Sequence, residues 1–297
     1  MKIAQLVSSF PPYTGGMGNV VKENVSRLSH KHEVHIFTPS YNDSKEVEGK
    51  EKKYQVHRIN PSLRVSKLPL IDNTEVLFNI KNKLANSFDL VHLHYPFFGT
   101  DTLVANWRKK FSTPLVITYH MDPIARGLKG VIFSIYKKLF QEKVLAQADK
   151  IIASSFDYIK NSSAKNFFQT NKKKFVELPF GVDSNQFKPK SVKDNELSCN
   201  SFQAKNNILF VGGMDQPHYF KGIPLLLKAA SKLKDKLDFN LFLIGSGKLQ
   251  EKYQLQASKL GLEDKVQFVG YVTGDKLIDW YNFADLTVLP SINKSEA

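Results

Sequence analysis

Two glycine-rich segments follow apolar runs in this chain, and both could bring backbone N–H groups close to an anionic ligand. The first, residues 11–18, reads PPYTGGMG and precedes a helical pattern. Its glycines Gly15 and Gly16 would let the backbone approach a ligand closely. The segment lacks the G-x-G-x-x-G spacing of dinucleotide sites, so a plain turn between a strand and a helix is the alternative.

The second glycine-rich segment, residues 210–215, reads FVGGMD and leads to Lys221 just before a predicted helix. A glycine turn at Gly213, a cation and the start of a helix together favour a diphosphate site. A surface lysine that caps a turn is the alternative. A similar tight turn, IGSG, follows the next predicted strand and contains Gly245 and Gly247.

Three histidines stand in or directly after predicted strands. His92 and His94 alternate along one strand, so both side chains would point to the same face of a sheet. No third metal ligand has a matching spacing, so we predict no metal site and expect both to be packed and hydrogen-bonded. His120 ends the next strand and would face a ligand, either donating to a hydroxyl group or positioning an acceptor. A histidine of the core is the alternative for His120.

Strands that alternate with helices would position these residues. Runs that are apolar on both faces predict parallel strands covered by helices, and the alternation predicts an α/β fold with doubly wound sheets. Strands are predicted for residues 2–8, 33–38, 54–59, 90–93, 115–119, 150–153 and 175–178, and in a second series for 207–211, 240–244, 265–269 and 285–289. Helices are predicted for residues 19–29, 73–86, 130–148, 223–233, 249–260 and 276–283. In such folds ligands bind beyond the carboxyl ends of the strands, where the glycine turns and His120 stand.

The two series of strands are separated by residues 188–206, which are polar, contain one proline and have no periodicity. These features are typical of a linker or a long loop. We therefore predict two Rossmann-like domains, residues 1–190 and residues 191–297.

The composition indicates in which cellular compartment the protein acts and which kinds of partner it binds. The single cysteine, Cys199, excludes an intrachain disulfide, and no apolar stretch approaches the ~20 residues of a membrane span. The amino terminus fits a buried strand better than a signal peptide, so a cytoplasmic protein is predicted. The net charge of +14 favours polyanionic partners such as phosphorylated small molecules or anionic lipid. Nucleic acid is not an expected partner, because basic and aromatic residues are not interleaved as in a known binding module.

Residues 126–150 combine apolar residues at helical spacing with basic residues that include Arg126, Lys129, Lys137, Lys138 and Lys143. One interpretation is a helix packed on the sheet with a solvated basic edge. The other is a helix face that rests on anionic lipid, where each nearby Lys or Arg adds ~1 kcal/mol. The second interpretation predicts peripheral binding at the inner face of the membrane.

The pieces occur in an order that resembles the family-four retaining glycosyltransferases, a group that includes phosphatidylinositol mannosyltransferases and sucrose synthases. The matching stretches are SSFPPYTGGMGNVVKENVSRL, FDLVHLHYP, VITYHMD, ADKIIASS, LPFGVD, ILFVGG, KG, LIGSGKL, VQFVGYV and YNFADLTVLPS…SEA, which together span essentially the whole chain. The resemblance implies a GT-B fold, with two Rossmann-like domains that face each other across a cleft, the second incomplete. It also implies transfer of a sugar from a UDP- or GDP-sugar to a lipid or glycan acceptor, with retention of configuration and without a cofactor or an obligatory metal.

The same resemblance implies roles for individual residues. His120 would lie beside the transferred sugar, Lys221 would neutralise the departing diphosphate, and Glu296, as the first glutamate of a Glu-x7-Glu motif, would hold the donor sugar. These three are the predicted catalytic residues. The predicted substrate-binding residues are Gly15, Gly16, Gly213, Gly245, Gly247, Val272 and Ser291.

Two features depart from the family pattern. Gly213 stands where family members usually have arginine, and residues 217–220 form an insertion before Lys221, so one diphosphate cation is missing unless His218 or another cation takes its place. The chain also ends at Ala297, directly after Glu296. We therefore expect a chain truncated at its carboxyl end that turns over donor sugar poorly. A catalytically inactive fragment that binds acceptor or membrane, and a sugar-nucleotide 2-epimerase, are the alternatives.

Overall fold

Parallel strands alternate with helices along the chain, which confirms the predicted α/β class. The computed structural model describes residues 1–12, 15–40, 49–51, 54–60, 63–64, 75–76, 79–84, 87–123, 127–191 and 206–292. Two compact units are present, Met1–Phe180 and Gly181–Asn293. The predicted domain boundary near residue 190 stays a prediction.

The first unit is built on an eight-stranded sheet in the order β10-β9-β8-β7-β1-β2-β4-β3. Its strands, with the small separate pair β5 and β6, are β1 (Lys2–Leu6), β2 (Glu33–Pro39), β3 (Gly49–Glu51), β4 (Tyr54–Ile59), β5 (Leu63–Arg64), β6 (Glu75–Val76), β7 (Leu90–Tyr95), β8 (Leu115–Tyr119), β9 (Lys150–Ala153) and β10 (Phe175–Glu177). Neighbours in the large sheet are parallel except β3 and β4. From the central strand β1 the order runs to β2 on one side and to β7 on the other. Ligands bind at such a switch of direction, beyond the carboxyl ends of the strands.

Helices connect the strands of the first unit. They are α1 (Gly16–Leu28), α2 (Ile80–Leu84), α3 (Thr100–Arg108), α4 (Gly127–Tyr136), α5 (Glu142–Ala146), α6 (Phe156–Asn161) and α7 (Lys165–Thr170), with a π-helical turn at Lys137–Gln141 between α4 and α5 and a 3₁₀ turn at Lys172–Lys174. Buried apolar side chains form two clusters. Leu93, Ile117 and Ile151 belong to the larger, whereas Val21 of α1 and Ile36 of β2 belong to the other.

The second unit has a parallel four-stranded sheet in the order β13-β12-β11-β14. Its elements are β11 (Asn206–Val211), a 3₁₀ helix at Gln216–Lys221, α8 (Ile223–Leu233), β12 (Phe239–Ile244), α9 (Gln250–Lys259), β13 (Val266–Gly270), α10 (Asp275–Phe283) and β14 (Leu286–Thr287). All six residues of β12 are buried, as expected for a central parallel strand covered on both faces.

One predicted element is wrong in part. Within residues 73–86, Glu75–Val76 pair antiparallel with Leu63–Arg64, and the helix is confined to Ile80–Leu84. The predicted helix 130–148 is realised as α4, the π-helical turn and α5 in succession. Residues 192–205 of the predicted linker lie outside the described residues. None of the helices in the described ranges is long and apolar enough to cross a bilayer.

Candidate functional site

The glycine loop after β1 contains one glycine that packing requires and one that it does not. A Cβ atom at Gly18 would lie 2.7 Å from the carbonyl oxygen of Ser9, so α1 can approach the chain after β1 only with glycine there. A Cβ atom at Gly16 would meet no atom within 4 Å, and one at Gly15 would contact the Ser9 hydroxyl at 3.4 Å. The backbone at Gly16 is therefore open on the side where a side chain would stand. Residues 13–14 of the loop lie outside the described residues.

The three histidines lie on neighbouring strands and contact one another. The rings of His92 and His94 stack with centroids 4.3 Å apart, which confirms that both point to the same face. Nε2 of His92 lies 2.7 Å from the hydroxyl of Thr118, and Nδ1 of His94 lies 2.9 Å from Nε2 of His120. The prediction that His92 and His94 are packed and hydrogen-bonded is confirmed.

Burial keeps this cluster uncharged near neutral pH. Loss of hydration lowers the pKa of His92 to about 4 and that of His120 to about 3, with a further contribution to His120 from His92. The pKa of His94 is also lowered well below its ordinary value, chiefly by burial. His120 is therefore an uncharged ring near neutral pH, hydrogen-bonded to His94.

A buried polar network, which sequence reasoning missed, fixes the segment that follows His120. The hydroxyl of Tyr119 donates to the carboxylate of Asp122, and Ser163 donates to the same carboxylate from its backbone N–H at 2.9 Å and its hydroxyl at 2.6 Å. Gln141, in the π-helical turn, donates to the Tyr119 hydroxyl at 2.7 Å. The backbone N–H of Asp122 donates to the hydroxyl of Tyr158 at 2.8 Å. These contacts tie the carboxyl end of β8 to the helices beside it.

In the second unit two glycine turns are joined backbone to backbone. Gly245 has a φ of +133°, and a Cβ atom there would lie 2.0 Å from the carbonyl oxygen of Gly212. A Cβ atom at Gly247 would lie 2.3 Å from the carbonyl carbon of Met214. The N–H of Met214 donates to the carbonyl of Ser246 at 3.0 Å. Gly245 and Gly247 are thus required for close packing of the turn after β12 against the turn after β11.

Two side chains from the 3₁₀ helix before α8 lie over the glycine turn after β11. A Cβ atom at Gly213 would lie 2.7 Å from Nδ1 of His218, and one at Gly212 would lie 3.6 Å from Cδ of Lys221. Partial burial lowers the pKa of Lys221 from its ordinary value. Burial is also the largest cause of the lowered pKa of His218, where nearby Asp215 acts in the opposite direction. A half-buried ammonium group and an imidazole therefore stand beside a partly buried backbone turn that precedes a helix.

Ser291 and Val272 have different surroundings. The backbone on both sides of Ser291 contacts the turn that holds Lys221, because the carbonyl of Pro290 lies against Gly222 and the N–H of Ile292 donates to the carbonyl of Phe220 at 2.8 Å. Val272 follows β13 and packs on the apolar cluster of Leu209, Phe242, Ile244 and Trp280.

Within each unit the structure brings several predicted residues together. In the second unit Gly213, Lys221 and Ser291 lie close to the start of α8. Gly245 and Gly247 pack against the backbone of the glycine turn after β11. Val272 lies elsewhere, in an apolar cluster. In the first unit His120 stands at the carboxyl end of β8 and the glycine loop at the carboxyl end of β1, with β7 between these two strands. Glu296 lies outside the described residues. Across the described part of the chain, no group of three metal-binding side chains is formed.

Comparison with known sequences assigns both parts of the chain to described families. Residues 14–186 match the family described as Glycosyltransferase Family 4, and residues 193–297 match Glycosyl transferases group 1. The O-antigen chain mannosyltransferase C of Escherichia coli is 25% identical over 306 residues, which cover 100% of this chain and 74% of that protein. The D-rhamnosyltransferase WbpZ of Pseudomonas aeruginosa is 28% identical over 221 residues, which cover 74% of this chain and 53% of that protein.

Solved structures share the fold. The sucrose-phosphate synthase of Thermosynechococcus elongatus superposes with a TM-score of 0.72 at 18% identity, covering 98% of this chain and 75% of that one. HepE of Anabaena, solved with UDP and glucose, superposes with a TM-score of 0.62 at 17% identity, covering 97% of this chain and 73% of that one. These likenesses confirm the GT-B fold with two Rossmann-like domains.

Proposed function

Because the chain belongs to Glycosyltransferase Family 4, we propose that it transfers a sugar from a nucleoside-diphosphate sugar to a lipid or glycan acceptor with retention of anomeric configuration. The observation that carries the proposal is the position of Lys221 and His218 over the Gly212–Gly213 turn at the start of α8. Backbone N–H groups, a helix start and a partly desolvated cation form an environment suited to a diphosphate.

Lys221 has the electrostatic role in this reaction. The bond between the anomeric carbon and the diphosphate oxygen breaks, the acceptor oxygen bonds to the same carbon on the same face, and the acceptor proton passes to the departing diphosphate. Negative charge grows on the diphosphate as the bond breaks, and a fixed cation stabilises that charge more in the transition state than in the ground state. Ser291 and Gly213 stand beside the same turn and would bind the donor. Gly245 and Gly247 support the turn from behind.

The first unit supplies the groups proposed to meet the sugar and the acceptor. His120 is neutral and held by hydrogen bonding to His94, so it binds a hydroxyl group without taking or losing a charge. Gly16 leaves backbone open to a ligand, and Gly15 precedes the first turn of α1. Glu296 and Val272 remain assigned by resemblance to the donor side. No cofactor or metal enters the proposal.

The activities named for two relatives support this substrate class without fixing the sugar. The Escherichia coli relative is named a mannosyltransferase of the O-antigen chain, and the HepE structure holds UDP and glucose. The test is calorimetric titration of the chain with UDP-glucose, UDP-galactose and GDP-mannose, followed by NMR of the product anomer with the donor that binds. Binding of one donor and a product of unchanged anomeric configuration are expected. Absence of binding by any nucleotide sugar, or an inverted product, would overturn the proposal.

The proposal of a lipid acceptor is supported by the outer face of α4 and the π-helical turn, which could contact a membrane. Five apolar side chains point outward there, namely Leu128, Val131, Ile135, Leu139 and Phe140, and the first three are each 53% exposed. They recur at helical spacing along one face. Buried residues follow at the end of this segment, namely Gln141 of the π-helical turn and Val144 and Leu145 of α5. A solvent-facing apolar stripe of this kind indicates contact with something other than water.

Charge favours an anionic lipid surface as the occupant of this outer face. Lys138 and Lys143 are exposed beside the apolar stripe, and Nζ of Lys143 lies 5.8 Å from the ring of Phe140. Glu142 is the acidic residue among the exposed residues of the same segment. An amphipathic helix with apolar residues flanked by lysines binds in the interface of anionic membranes, and each lysine near the surface adds ~1 kcal/mol. The chain would thus act at the inner face of the membrane, where lipid acceptors are present.

A further inference from the structure

A line of hydrogen-bonding side chains crosses three neighbouring strands and ends at His120. Gln5 lies on the central strand β1, His94 on β7, and His120 directly after β8. Nε2 of His94 lies 2.8 Å from Oε1 of Gln5, and Nδ1 of His94 lies 2.9 Å from Nε2 of His120. All three side chains are more than nine-tenths buried, so water cannot easily replace any member of the line.

The chemistry of these atoms sets the position of each proton. The Gln5 amide turns Oε1 toward His94, and because this oxygen can only accept, this orientation puts the proton of His94 on Nε2, which donates to it. A neutral imidazole carries one ring proton, so Nδ1 of His94 is bare and accepts from the Nε2–H of His120. The single proton of neutral His120 is then used, and its Nδ1 is a bare acceptor. Within the described residues, Nδ1 of His120 makes no hydrogen bond.

We propose that Gln5 is a positioning residue which, acting through His94, fixes His120 as its Nε2–H tautomer, so that Nδ1 of His120 accepts a hydrogen bond from a hydroxyl group of the substrate. The substrate contact rests on the proposed function; the tautomer does not. The site then selects a group that donates, such as a sugar hydroxyl, and rejects a carbonyl or carboxylate at the same place.

The neighbours of the line are consistent with one stable tautomer. Burial keeps all three rings of the cluster neutral, since it lowers the pKa of His92 to about 4 and that of His120 to about 3. Phe180 stacks on His120 with ring centroids 5.1 Å apart, which limits rotation of the imidazole. His92 uses a different partner, the hydroxyl of Thr118, and leaves both ring nitrogens of His94 to Gln5 and His120.

The test is long-range proton–nitrogen NMR of the histidine rings in the whole chain. The eight histidines give separate ring patterns, and His94→Gln and His120→Gln variants assign the two that matter. The wild-type chain at pH 7.5 is expected to show Nε2–H and bare Nδ1 for both rings. A Nδ1–H pattern for His120 in the wild-type chain overturns the proposal without any variant being needed.

Two substitutions at Gln5 then test whether its hydrogen bond to His94, and not only its packing, sets the tautomer of His120. Gln5→Met keeps the length of the side chain but removes the acceptor, so His94 should move its proton to Nδ1 and donate to His120, whose proton then moves to its own Nδ1. Gln5→Glu keeps the acceptor and should keep both Nε2–H tautomers. An unchanged His120 pattern in folded Gln5→Met overturns the proposal.

Kinetics connects the tautomer with the substrate. With the donor that the titrations identify, Gln5→Met should raise KM about tenfold, as expected for loss of one buried hydrogen bond, whereas Gln5→Glu should stay closer to the wild type. A reversed tautomer in Gln5→Met with an unchanged KM overturns the substrate contact alone. Absence of donor binding by the wild-type chain, with the expected tautomers present, counts against the proposed function instead.

Discussion

The imidazole of His218 fills the space that a side chain at Gly213 would take, since a Cβ atom at Gly213 would lie 2.7 Å from Nδ1 of His218. The φ of Gly213 is not in the left-handed region, so its backbone would accept an L side chain. The three atoms nearest to that Cβ position all belong to the ring of His218. The sequence resemblance implies arginine at position 213, and His218 stands where that cation is missing.

Substitutions at positions 213 and 218 test whether His218 takes the place of the missing arginine. His218→Ala should weaken binding of a nucleotide sugar about tenfold, because one hydrogen bond from the imidazole to the diphosphate is lost. Gly213→Arg alone should bind poorly because the new side chain collides with the ring, whereas Gly213→Arg combined with His218→Ala should regain wild-type affinity. Calorimetric titration measures all four chains. If the double variant binds no better than His218→Ala, positions 213 and 218 do not share this function.

Replacement of Lys221 should impair the chemical step more than the stability of the fold. Loss of one preorganised group that stabilises developing charge costs ~2.7–4 kcal/mol of barrier, so Lys221→Ala should lower kcat by about 100- to 1,000-fold. The side chain is partly exposed, so the melting temperature should change little. Lys228→Ala, an exposed lysine of α8, is the matched control and should keep wild-type kcat. Activity of Lys221→Ala within a few-fold of wild type would exclude the proposed role.

The two glycines of α1 should separate ligand binding from stability. Gly18→Ala forces a Cβ atom to within 2.7 Å of the Ser9 carbonyl, and overpacking of this kind costs ~1–3 kcal/mol. Gly16→Ala meets no atom within 4 Å and should leave the free energy of unfolding unchanged or increase it by up to ~1 kcal/mol. If the open backbone at Gly16 faces the substrate, Gly16→Ala should lose activity while the chain stays folded. Chemical denaturation and donor turnover measure the two effects; full activity of Gly16→Ala would show that this side of the loop binds nothing.

Regular elements with strong patterns could be predicted from the sequence. The strands Leu115–Tyr119 and Lys150–Ala153 and the helix Ile223–Leu233 have the predicted bounds, because continuous apolar runs or a clear helical period define them. The helix Thr100–Arg108 was not predicted. Its buried residues include Thr100 and Asp101, so its polar composition hides the face that packs on the sheet.

The details of the candidate site depended on contacts that no local pattern contains. Gln5 was predicted only as part of a strand, and its one signal is a polar residue in an otherwise apolar run. Its partner His94 is 89 positions away in the chain, and only the sheet order brings the two together. His218 was considered as a replacement cation, yet its position over Gly213 depends on how the 3₁₀ helix before α8 returns to the turn. The sequence therefore predicted several of the residues at the candidate site, but not the distances and contacts between them.

The outer face of α4 should bind vesicles only when apolar contact and opposite charge act together. The chain is expected to sediment with vesicles rich in phosphatidylglycerol and not with pure phosphatidylcholine, and binding should fall as salt rises because the lysine contribution is screened. Ile135→Ser and Leu139→Ser should each weaken binding by removing apolar area, and Lys138→Gln and Lys143→Gln should each weaken it about fivefold, equivalent to ~1 kcal/mol per lysine.

Matched control variants show whether the weakened vesicle binding is specific to the outer face of α4. Leu255→Ser removes a leucine that is 64% exposed on α9 of the second unit, and Lys228→Gln removes an exposed lysine of α8, so both alter the same kinds of surface elsewhere. Neither control should change vesicle binding. If the chain binds anionic and neutral vesicles equally, or if the control variants lose as much vesicle binding, the exposed apolar stripe does not bind anionic lipid and contacts something else. Concentration-dependent self-association abolished by Ile135→Ser would identify that occupant as a second copy of the chain.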